Sequence, residues 1–202
     1  MKLKYLPLLA AKYEIVLGSK SPRRVTLLKE TGIQFKQVIP DLEEDQLPDE
    51  PPYEYAERLA RDKALMVAQG LSADQIVISC DTIVVLDGRV LGKPLDEQEA
   101  FRTLSTLAGK EHTVCTALAV ANQKGILAGG YELTDVWFNK VSDGQIKNYI
   151  ASGEPMDKAG AYGIQGMGAF LVDRLEGNLD TVIGFPRKLL ESLAQRIMES
   201  HI

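Results

Sequence analysis

Cysteine and histidine are scarce in this chain, which holds two of each among its 202 residues. The cysteines, Cys80 and Cys115, do not form a C-x-x-C pair, and each lies in an apolar run that predicts a buried strand. We therefore predict two free thiols that pack as small hydrophobic groups in a reducing compartment. Neither a disulfide nor a zinc site is expected.

Long apolar runs are also missing from the sequence. None approaches the roughly 20 residues that a helix needs to span a bilayer, and the short segment at residues 6–11 is too brief and too poorly flanked for a signal peptide. Hydrophobic residues make up 45% of the chain and charged residues 25%, which is typical of a globular protein with a full core. We therefore predict a cytoplasmic protein with no membrane contact, built as one domain or as two closely packed lobes.

Basic residues are not in excess, because 28 acidic and 23 basic side chains leave a net charge of −5. This balance argues against general affinity for nucleic acid, so any binding of phosphate depends on a local basic cluster. One such cluster follows a strand predicted at residues 13–17. The first turn of a helix normally attracts acids, yet Arg23 and Arg24 lie there, with Lys20 just before it. This turn is either a phosphate cradle, where backbone N–H groups add to the positive charge, or a solvated basic surface.

Residues 75–86 predict a strand that is buried on both faces. Its β-branched residues stand on both sides of Asp81, without the apolar-polar alternation of a half-solvated strand. A carboxylate in that place needs a cation or a metal beside it, or else a raised pKa that removes its charge, because its desolvation costs several kcal/mol. Alternatively, Asp81 marks a bulge or a strand end, with its side chain hydrogen-bonded to nearby backbone.

Two other segments carry charged residues that can point into a site. The acidic loop, residues 40–52, contains Glu43 and Glu44, either of which can reach Asp81 and share Mg²⁺ with it, although most carboxylates of such a run are solvated. Lys63 lies on the apolar face of a helix predicted at residues 53–69. A lysine there either extends to solvent or points into a site.

A two-residue hairpin turn is predicted at Asp87-Gly88, so residues 89–91 should return antiparallel to the strand that contains Asp81. Lys93 follows this return strand and can lie close to the level of Asp81, as a cation near the carboxylate. The alternative is an ordinary surface lysine, and the spacing does not decide between the two.

The rest of the chain predicts helices and strands with turn and capping residues at their ends. Residues 1–12 show no clear pattern and are predicted to be an irregular lead-in. The other expected elements are a helix that begins at Ser21 and Pro22 and ends at Gly32, a helix from Asp96 to Leu107 closed by Gly109, a hairpin of strands 112–121 and 126–138, a helix capped by Ser142, a strand pair at 170–175 and 181–183, and a helix opened by Pro186.

Glycine is dense in residues 153–168, where it alternates with larger side chains. This spacing is typical of backbone that approaches a ligand closely or adopts positive φ, whereas a flexible linker would not interleave Tyr, Ile and Gln. The spacing does not match a Rossmann fingerprint. The amide of Gln165 offers a donor and an acceptor together, which suits the edge of a nucleobase; as a generic loop residue it would face water.

Taken in order, these segments closely resemble the motifs of the Maf family of nucleoside triphosphate pyrophosphatases, over about residues 13–195. The resemblance is carried by Ser19-Lys20-Ser21-Pro22-Arg23-Arg24, Asp41-Leu42-Glu43-Glu44, Arg61-Asp62-Lys63-Ala64, Asp81-Thr82, Gly92-Lys93-Pro94, Leu107-Ala108-Gly109 with His112, Asp157-Lys158-Ala159-Gly160-Ala161-Tyr162-Gly163-Ile164-Gln165-Gly166, and Val182-Ile183-Gly184-Phe185-Pro186. The glycine-containing motif is similar to the branch that acts on dTTP and UTP, and differs from the branch that acts on 7-methyl-GTP.

This resemblance implies an α/β fold, elongated around a mixed, strongly twisted central sheet, with flanking helices and a cleft between two lobes. Residues 1–12 would then be an N-terminal extension, and residues 13–202 a single Maf-like domain of two lobes. Members of the family usually form homodimers, so we expect a homodimer here.

The reaction that the resemblance implies is hydrolysis of the α–β phosphoanhydride of a nucleoside triphosphate, giving the monophosphate and pyrophosphate with Mg²⁺ or Mn²⁺. Asp81 matches the proton acceptor, and Asp81 with Glu43 would hold the metal. The other matched cleft residues are Lys93, which we assign to catalysis with Asp81 and Glu43, and Ser19, Arg23, Arg24, Lys63, Thr82 and Gln165, which we assign to substrate binding. Arg23, Thr82 and Gln165 match positions linked to substrate choice.

Two alternatives stay open at this point. One is a nucleotide-binding regulator of cell division with weak or no turnover, and the other is a purine- or 7-methyl-GTP-selective enzyme on the same scaffold. The sequence departs from the family pattern at Cys80, at residues 177–180 and at Phe185-Pro186-Arg187, where Leu-Pro-Leu is usual. We expect the last two departures to affect substrate preference rather than the type of reaction.

Overall fold

A computed structural model describes residues 3–200, which contain seven α-helices and seven β-strands. The helices are α1 (Tyr5–Lys12), α2 (Pro22–Lys29), α3 (Pro52–Ala68), α4 (Glu97–Leu107), α5 (Asp143–Ile150), α6 (Leu179–Ile183) and α7 (Arg187–Glu199). The strands are β1 (Glu14–Gly18), β2 (Phe35–Val38), β3 (Gln75–Leu86), β4 (Arg89–Leu91), β5 (Glu111–Asn122), β6 (Gly125–Phe138) and β7 (Val172–Glu176). Short 3₁₀ helices occupy Glu154–Asp157, Ala159–Ala161 and Gly166–Leu171.

The strands belong to one mixed sheet with the order β2-β1-β3-β5-β6-β7, and β4 pairs with β3. β1 runs parallel to both β2 and β3, whereas β4 runs antiparallel to β3 and β7 antiparallel to β6. The α/β class with a mixed central sheet, predicted from the sequence, is therefore confirmed.

The chain divides into two compact units. The first comprises the chain up to Asp81, Thr116–Glu132 and the chain from Gly184 onward, and the second comprises Thr82–Cys115 and Leu133–Ile183. In the first unit, α1 packs on α7 and on β1, and α3 packs on β1. In the second unit, α4 packs on α5 over a buried cluster that includes Leu104, Ile146 and Tyr149.

Local signals in the sequence located several element ends correctly. β3 has the predicted bounds, and the turn after it has positive φ at both Asp87 (50°) and Gly88 (74°), as a tight hairpin turn between twisted strands requires. The backbone N–H of Glu99 donates to Asp96 at 2.7 Å to cap α4, and Ser142 forms a capping box at the start of α5.

The predicted irregular lead-in is wrong for residues 5–12, which form α1; residues 1 and 2 lie outside the described residues. Leu6 and Leu9, one turn apart, are fully buried. The carboxylate of Glu191 in α7 accepts hydrogen bonds from the first backbone N–H groups of the helix, those of Lys4, Tyr5 and Leu6, at 2.6 to 2.9 Å. The helix is thus capped by a residue distant in sequence.

The second predicted strand of the pair at residues 170–175 and 181–183 is also wrong. β7 exists, but residues 179–183 form α6, and Phe170 lies in a 3₁₀ helix. Asn178 exchanges hydrogen bonds of 2.9 and 3.1 Å with the hydroxyl of Thr134 in β6. Its side chain accepts from Asp180 N at 3.1 Å and its carbonyl from Thr181 N at 3.0 Å, so the chain turns into a helix there.

Two predictions drawn from what the sequence lacks can be compared with this fold. Cys80 and Cys115 are buried free thiols, as expected. Within residues 3–200, no helix combines the length and the apolar character that crossing a membrane requires.

Candidate active site

Asp81 lies inside β3 and is only 6% exposed. Its Oδ1 accepts a hydrogen bond from Lys63 Nζ at 2.5 Å. β3 continues for five residues beyond Asp81, so the carboxylate is not at a strand end, and its partner is a side chain rather than nearby backbone. Of the possibilities that the sequence left open for this carboxylate, a cation is present, and it is Lys63; the placement of Lys93 near Asp81 stays a prediction.

The surroundings of Asp81 raise the pKa of its carboxyl relative to that of an exposed aspartate. Burial raises the pKa of its carboxyl above the ordinary value, and the negative charge of Glu44 acts in the same direction. The ammonium of Lys63 and the guanidinium of Arg24 oppose this rise without cancelling it. A carboxylate with a raised pKa is a stronger base than an exposed one, which suits it to accept a proton from water.

Lys63 projects into this site rather than to solvent. It lies four residues after Leu59 and four before Val67 on the buried face of α3, and it is 7% exposed. Besides Asp81, its Nζ contacts Glu44 Oε1 at 2.6 Å. One ammonium therefore bridges two carboxylates from separate segments, which excludes the surface alternative for Lys63.

The acidic loop is held against α3 by two side chains of that helix. Tyr55 Oη donates to the carbonyl of Glu44 at 2.5 Å, and Arg58 Nη2 donates to the carbonyl of Asp45 at 2.9 Å. Burial is the main reason why the pKa of Tyr55 rises to about 12, so its hydroxyl remains a donor. These contacts fix the backbone from which Glu44 reaches Lys63.

Glu43 and Glu44 were equal candidates for a metal ligand on sequence grounds. Both side chains are in the exposed class, and Glu44 is the one that shares Lys63 with Asp81. In the described part of the chain, no group of three or more His, Cys, Asp or Glu side chains is placed to hold a metal ion. Protein sites for Mg²⁺ near phosphates, however, often use one or two carboxylates, completed by water and phosphate oxygens. The carboxylates of Asp81 and Glu44 fit that donor set, and the role of Glu43 stays a prediction.

The turn between β1 and α2 joins three segments of the first unit through Arg24. Arg24 Nη1 donates to the carbonyl of Cys80 at 2.7 Å, one residue before the buried carboxylate. Its Nε donates to the carbonyl of Gly184 at 2.9 Å, and Nη1 also reaches Ser19 Oγ at 3.3 Å. Arg24 and the buried Ser19 thus belong to the framework around the carboxylate, beyond the phosphate cradle expected of them.

α2 begins at Pro22 as predicted, but the hydroxyl of Ser21 does not cap it. The backbone N–H of Ser21 instead donates to Ser19 Oγ at 3.2 Å. Lys20 is exposed and Arg23 is half-buried at this helix start, whose first turn has no acidic residue. Positive side chains and the positive end of the helix dipole therefore coincide there, as the sequence indicated.

The remaining predicted residues, Thr82, Lys93 and Gln165, belong to the second unit. Thr82 follows Asp81 in β3 and is half-buried, Lys93 is exposed beyond the end of β4, and Gln165 is exposed with an extended backbone. Their membership of one site with Asp81 stays a prediction.

Sequence reasoning missed the helix residues that anchor the acidic loop. Tyr55 and Arg58, the two residues that contact the loop, lie three residues apart on α3, so a shared helix face was visible in the sequence. Their partners were not, because Arg58 pairs with Glu50 at 2.6 Å across a loop of irregular backbone.

The chain was also compared with known proteins and families. The model of the family described as "Maf-like protein" matches residues 14–197. A protein of Vibrio cholerae named dTTP/UTP pyrophosphatase is 47% identical over 173 residues, covering 86% of this chain and 92% of that protein. One of the same name from Shewanella denitrificans is 46% identical, covering 91% and 96%. A solved structure titled as a HAM1 protein from Coxiella burnetii covers 93% of this chain and 99% of that chain, at a TM-score of 0.47 and 17% identity, a likeness too weak to bear on the site. On the family match and these identities, the chain belongs to the Maf family.

Proposed function

We propose that this protein hydrolyses the α–β phosphoanhydride of nucleoside triphosphates, with a preference for dTTP, UTP and modified pyrimidine analogues. The observation that carries the proposal is the buried carboxylate of Asp81, held at 2.5 Å from Lys63 in a chain of this family. Its relatives from Vibrio and Shewanella, named dTTP/UTP pyrophosphatase, support the choice of substrate.

In the proposed reaction, a water molecule attacks the α-phosphorus and the bond to the bridging oxygen breaks, which yields a nucleoside monophosphate and pyrophosphate. Asp81 accepts the proton of the attacking water, a role that its raised pKa favours. Lys63 stabilises the ionised form of Asp81 and adds positive charge near the phosphates. Positioning and neutralisation of charge account for most catalysis of phosphoryl transfer.

A divalent cation, Mg²⁺ or Mn²⁺, is part of the proposal. Asp81 and Glu44, which share one ammonium, would supply its protein oxygens, and Glu43 remains the alternative donor. When bound, such a cation would neutralise charge on the triphosphate. The basic start of α2, with Arg23 and Lys20, is assigned to the phosphates.

The second unit completes the proposed assignment. Thr82 and Gln165 are assigned to the choice of nucleobase and Lys93 to catalysis, on the strength of the motif resemblance. A homodimer and a cytoplasmic location are also proposed; the two buried free thiols are compatible with a reducing compartment.

The test is release of pyrophosphate from a panel of triphosphates during titration with Mg²⁺ and Mn²⁺. We expect dTTP and UTP to be the best substrates and metal removal to abolish turnover. Asp81→Asn, which keeps the shape of the side chain, should lose nearly all turnover while retaining the fold, measured by circular dichroism. Binding without turnover on any triphosphate would refute the proposal and favour a regulator, and a preference for 7-methyl-GTP would assign the chain to the other branch.

A further inference from the structure

The segment at residues 163–168, which contains Gln165 and is called here the Gln165 segment, is held by the carboxylate of Glu154. Met167 N donates to Glu154 Oε2 at 2.9 Å, and Gly168 N donates to Glu154 Oε1 at 3.2 Å. Both donors come directly after Gln165 and Gly166 in the chain. A single side chain therefore satisfies two backbone groups next to the residue assigned to the nucleobase.

The other end of the segment is held by Tyr149 of α5. Gly163 N donates to Tyr149 Oη at 3.1 Å, and the same hydroxyl donates to Glu154 Oε1 at 3.0 Å. Tyr149 is 2% exposed and belongs to the core of the second unit. The hydrogen bonds thus connect the segment at both ends to a fixed part of that core.

Glu154 is ionised in this arrangement. Burial alone would raise the pKa of its carboxyl, but the hydrogen bonds from Met167, Tyr149 and Gly168 outweigh burial, and the pKa lies below the ordinary value. An ionised acceptor makes stronger hydrogen bonds than a neutral one. The contact is therefore retained throughout the neutral pH range.

The packing of two glycines in the segment also shows how closely Glu154 and Tyr149, called here the clamp, approach its backbone. A Cβ at Gly168 would lie 2.4 Å from the carbonyl oxygen of Gly163 and 2.6 Å from Tyr149 Oη. Gly166 has a φ of 84°, and a Cβ there would lie 2.9 Å from Glu154 Oε2. The glycine density noted in the sequence therefore allows the backbone to approach the two clamping side chains.

We propose that Glu154 and Tyr149 are positioning residues that fix the backbone of the Gln165 segment and thereby set the preference for the nucleobase. The inference rests on the proposed function, since it concerns selection among triphosphates. An exposed glutamine can adopt many rotamers, and its amide distinguishes donor from acceptor on a base edge only if its backbone is fixed. Neither clamping side chain needs to touch substrate.

The decisive variant is Glu154→Ala, measured by the ratio of kcat/KM for dTTP to kcat/KM for dCTP. We expect this ratio to fall about tenfold, mainly through a higher KM for dTTP, because two charge-assisted hydrogen bonds that order the segment are lost. Glu154→Gln, which keeps one acceptor oxygen, should restore part of the ratio, and Tyr149→Phe should lower it. Glu176→Ala, which removes an exposed ion pair with Arg174 in the same unit, is the matched control and should leave the ratio unchanged.

Two further measurements separate positioning from a general loss of structure. In a Gln165→Ala background, Glu154→Ala should lower the ratio by less than twofold, because the effect acts through Gln165. Hydrogen exchange of the Met167 and Gly168 amides should accelerate at least tenfold in Glu154→Ala, while α4 keeps its protection. Unchanged exchange, or faster exchange with an unchanged ratio, would overturn the inference, as would full additivity with Gln165→Ala.

The failure of the proposed function would look different. If the wild-type protein hydrolyses no triphosphate, that function is wrong, and calorimetric affinities for dTTP and dCTP replace the kinetic ratio. Loss of the affinity difference in Glu154→Ala then supports positioning by the clamp, and its persistence refutes it.

Discussion

Replacing Lys63 with methionine should move the acid limb of the pH profile of kcat/KM to higher pH. Lys63 Nζ lies 2.5 Å from Asp81 Oδ1 and favours the ionised carboxylate, while burial disfavours it. Removing an opposite charge at such a distance raises a carboxyl pKa by about 1 to 3. Activity that needs an ionised base is lost as pH falls through that pKa. The midpoint of the acid limb should therefore move to higher pH by about 1 to 3 pH units.

The same substitution should lower stability in a pH-dependent way. Removing one member of a buried ion pair typically costs about 3 to 5 kcal/mol, because the other charge is left buried. Asp81 can avoid this cost by taking up a proton, since its pKa in the folded protein is raised further. The loss in the free energy of unfolding should therefore be largest near pH 8 and smaller near pH 5.

The assay combines the pH profile with ¹³C NMR titration of the Asp81 carboxyl, which needs no turnover. Lys36→Met, which removes an exposed lysine paired with Glu14 in the same unit, is the control and should leave the acid limb in place. Glu44→Gln should lower the pKa of Asp81, because Glu44 raises it. An acid limb that stays fixed or moves to lower pH in Lys63→Met would refute the assignment of Asp81 as the base.

Three predictions concern stability and are tested by urea unfolding. Burial lowers the pKa of His112 from 6.5 to about 4, so between these pH values the unfolded chain binds a proton that the folded chain does not. The free energy of unfolding should therefore fall by about 3 kcal/mol as the pH drops from 6.5 to 4. His112→Gln should remove this part of its pH dependence. Glu191→Ala should cost about 1 to 2 kcal/mol, because it leaves the first N–H groups of α1 without their acceptor, and an unchanged midpoint would show that this cap is dispensable. Gly160→Ala should cost about 2 to 3 kcal/mol, since φ is 67° and the new Cβ would lie 2.9 Å from Val84 Cγ2; adding Val84→Ala should cost less than the two single changes together.

Features with local causes could be predicted from the sequence. β3 was located to the residue because an apolar β-branched run and the Asp87-Gly88 turn bound it, and both signals lie within the segment itself. The burial of Asp81 followed from the same run. The face of Lys63 followed from the helical period, which left open whether its side chain extends to solvent or points into a site. Its pairing with Asp81 became visible only once the helix and the strand were placed together.

Features with distant causes could not be predicted. α1 depends on Glu191, which is more than 180 residues away in the chain, and α6 depends on the docking of Asn178 onto Thr134. Neither contact leaves a trace in the local pattern. The choice between Glu43 and Glu44 was undecided for the same reason, because it depends on the backbone contacts of Tyr55 with the acidic loop.

The hydrogen bonds of Arg24 affect how any mutational survey of this protein must be interpreted. Its planar guanidinium holds the carbonyls of Cys80 and Gly184 together, which a lysine could not reproduce from two directions at once. Loss of activity in an Arg24 variant can therefore result from the loss of these structural hydrogen bonds as well as from the loss of a contact with the triphosphate. Activity and the free energy of unfolding must therefore be measured together for any Arg24 variant, so that a loss of structure is not counted as a loss of catalysis.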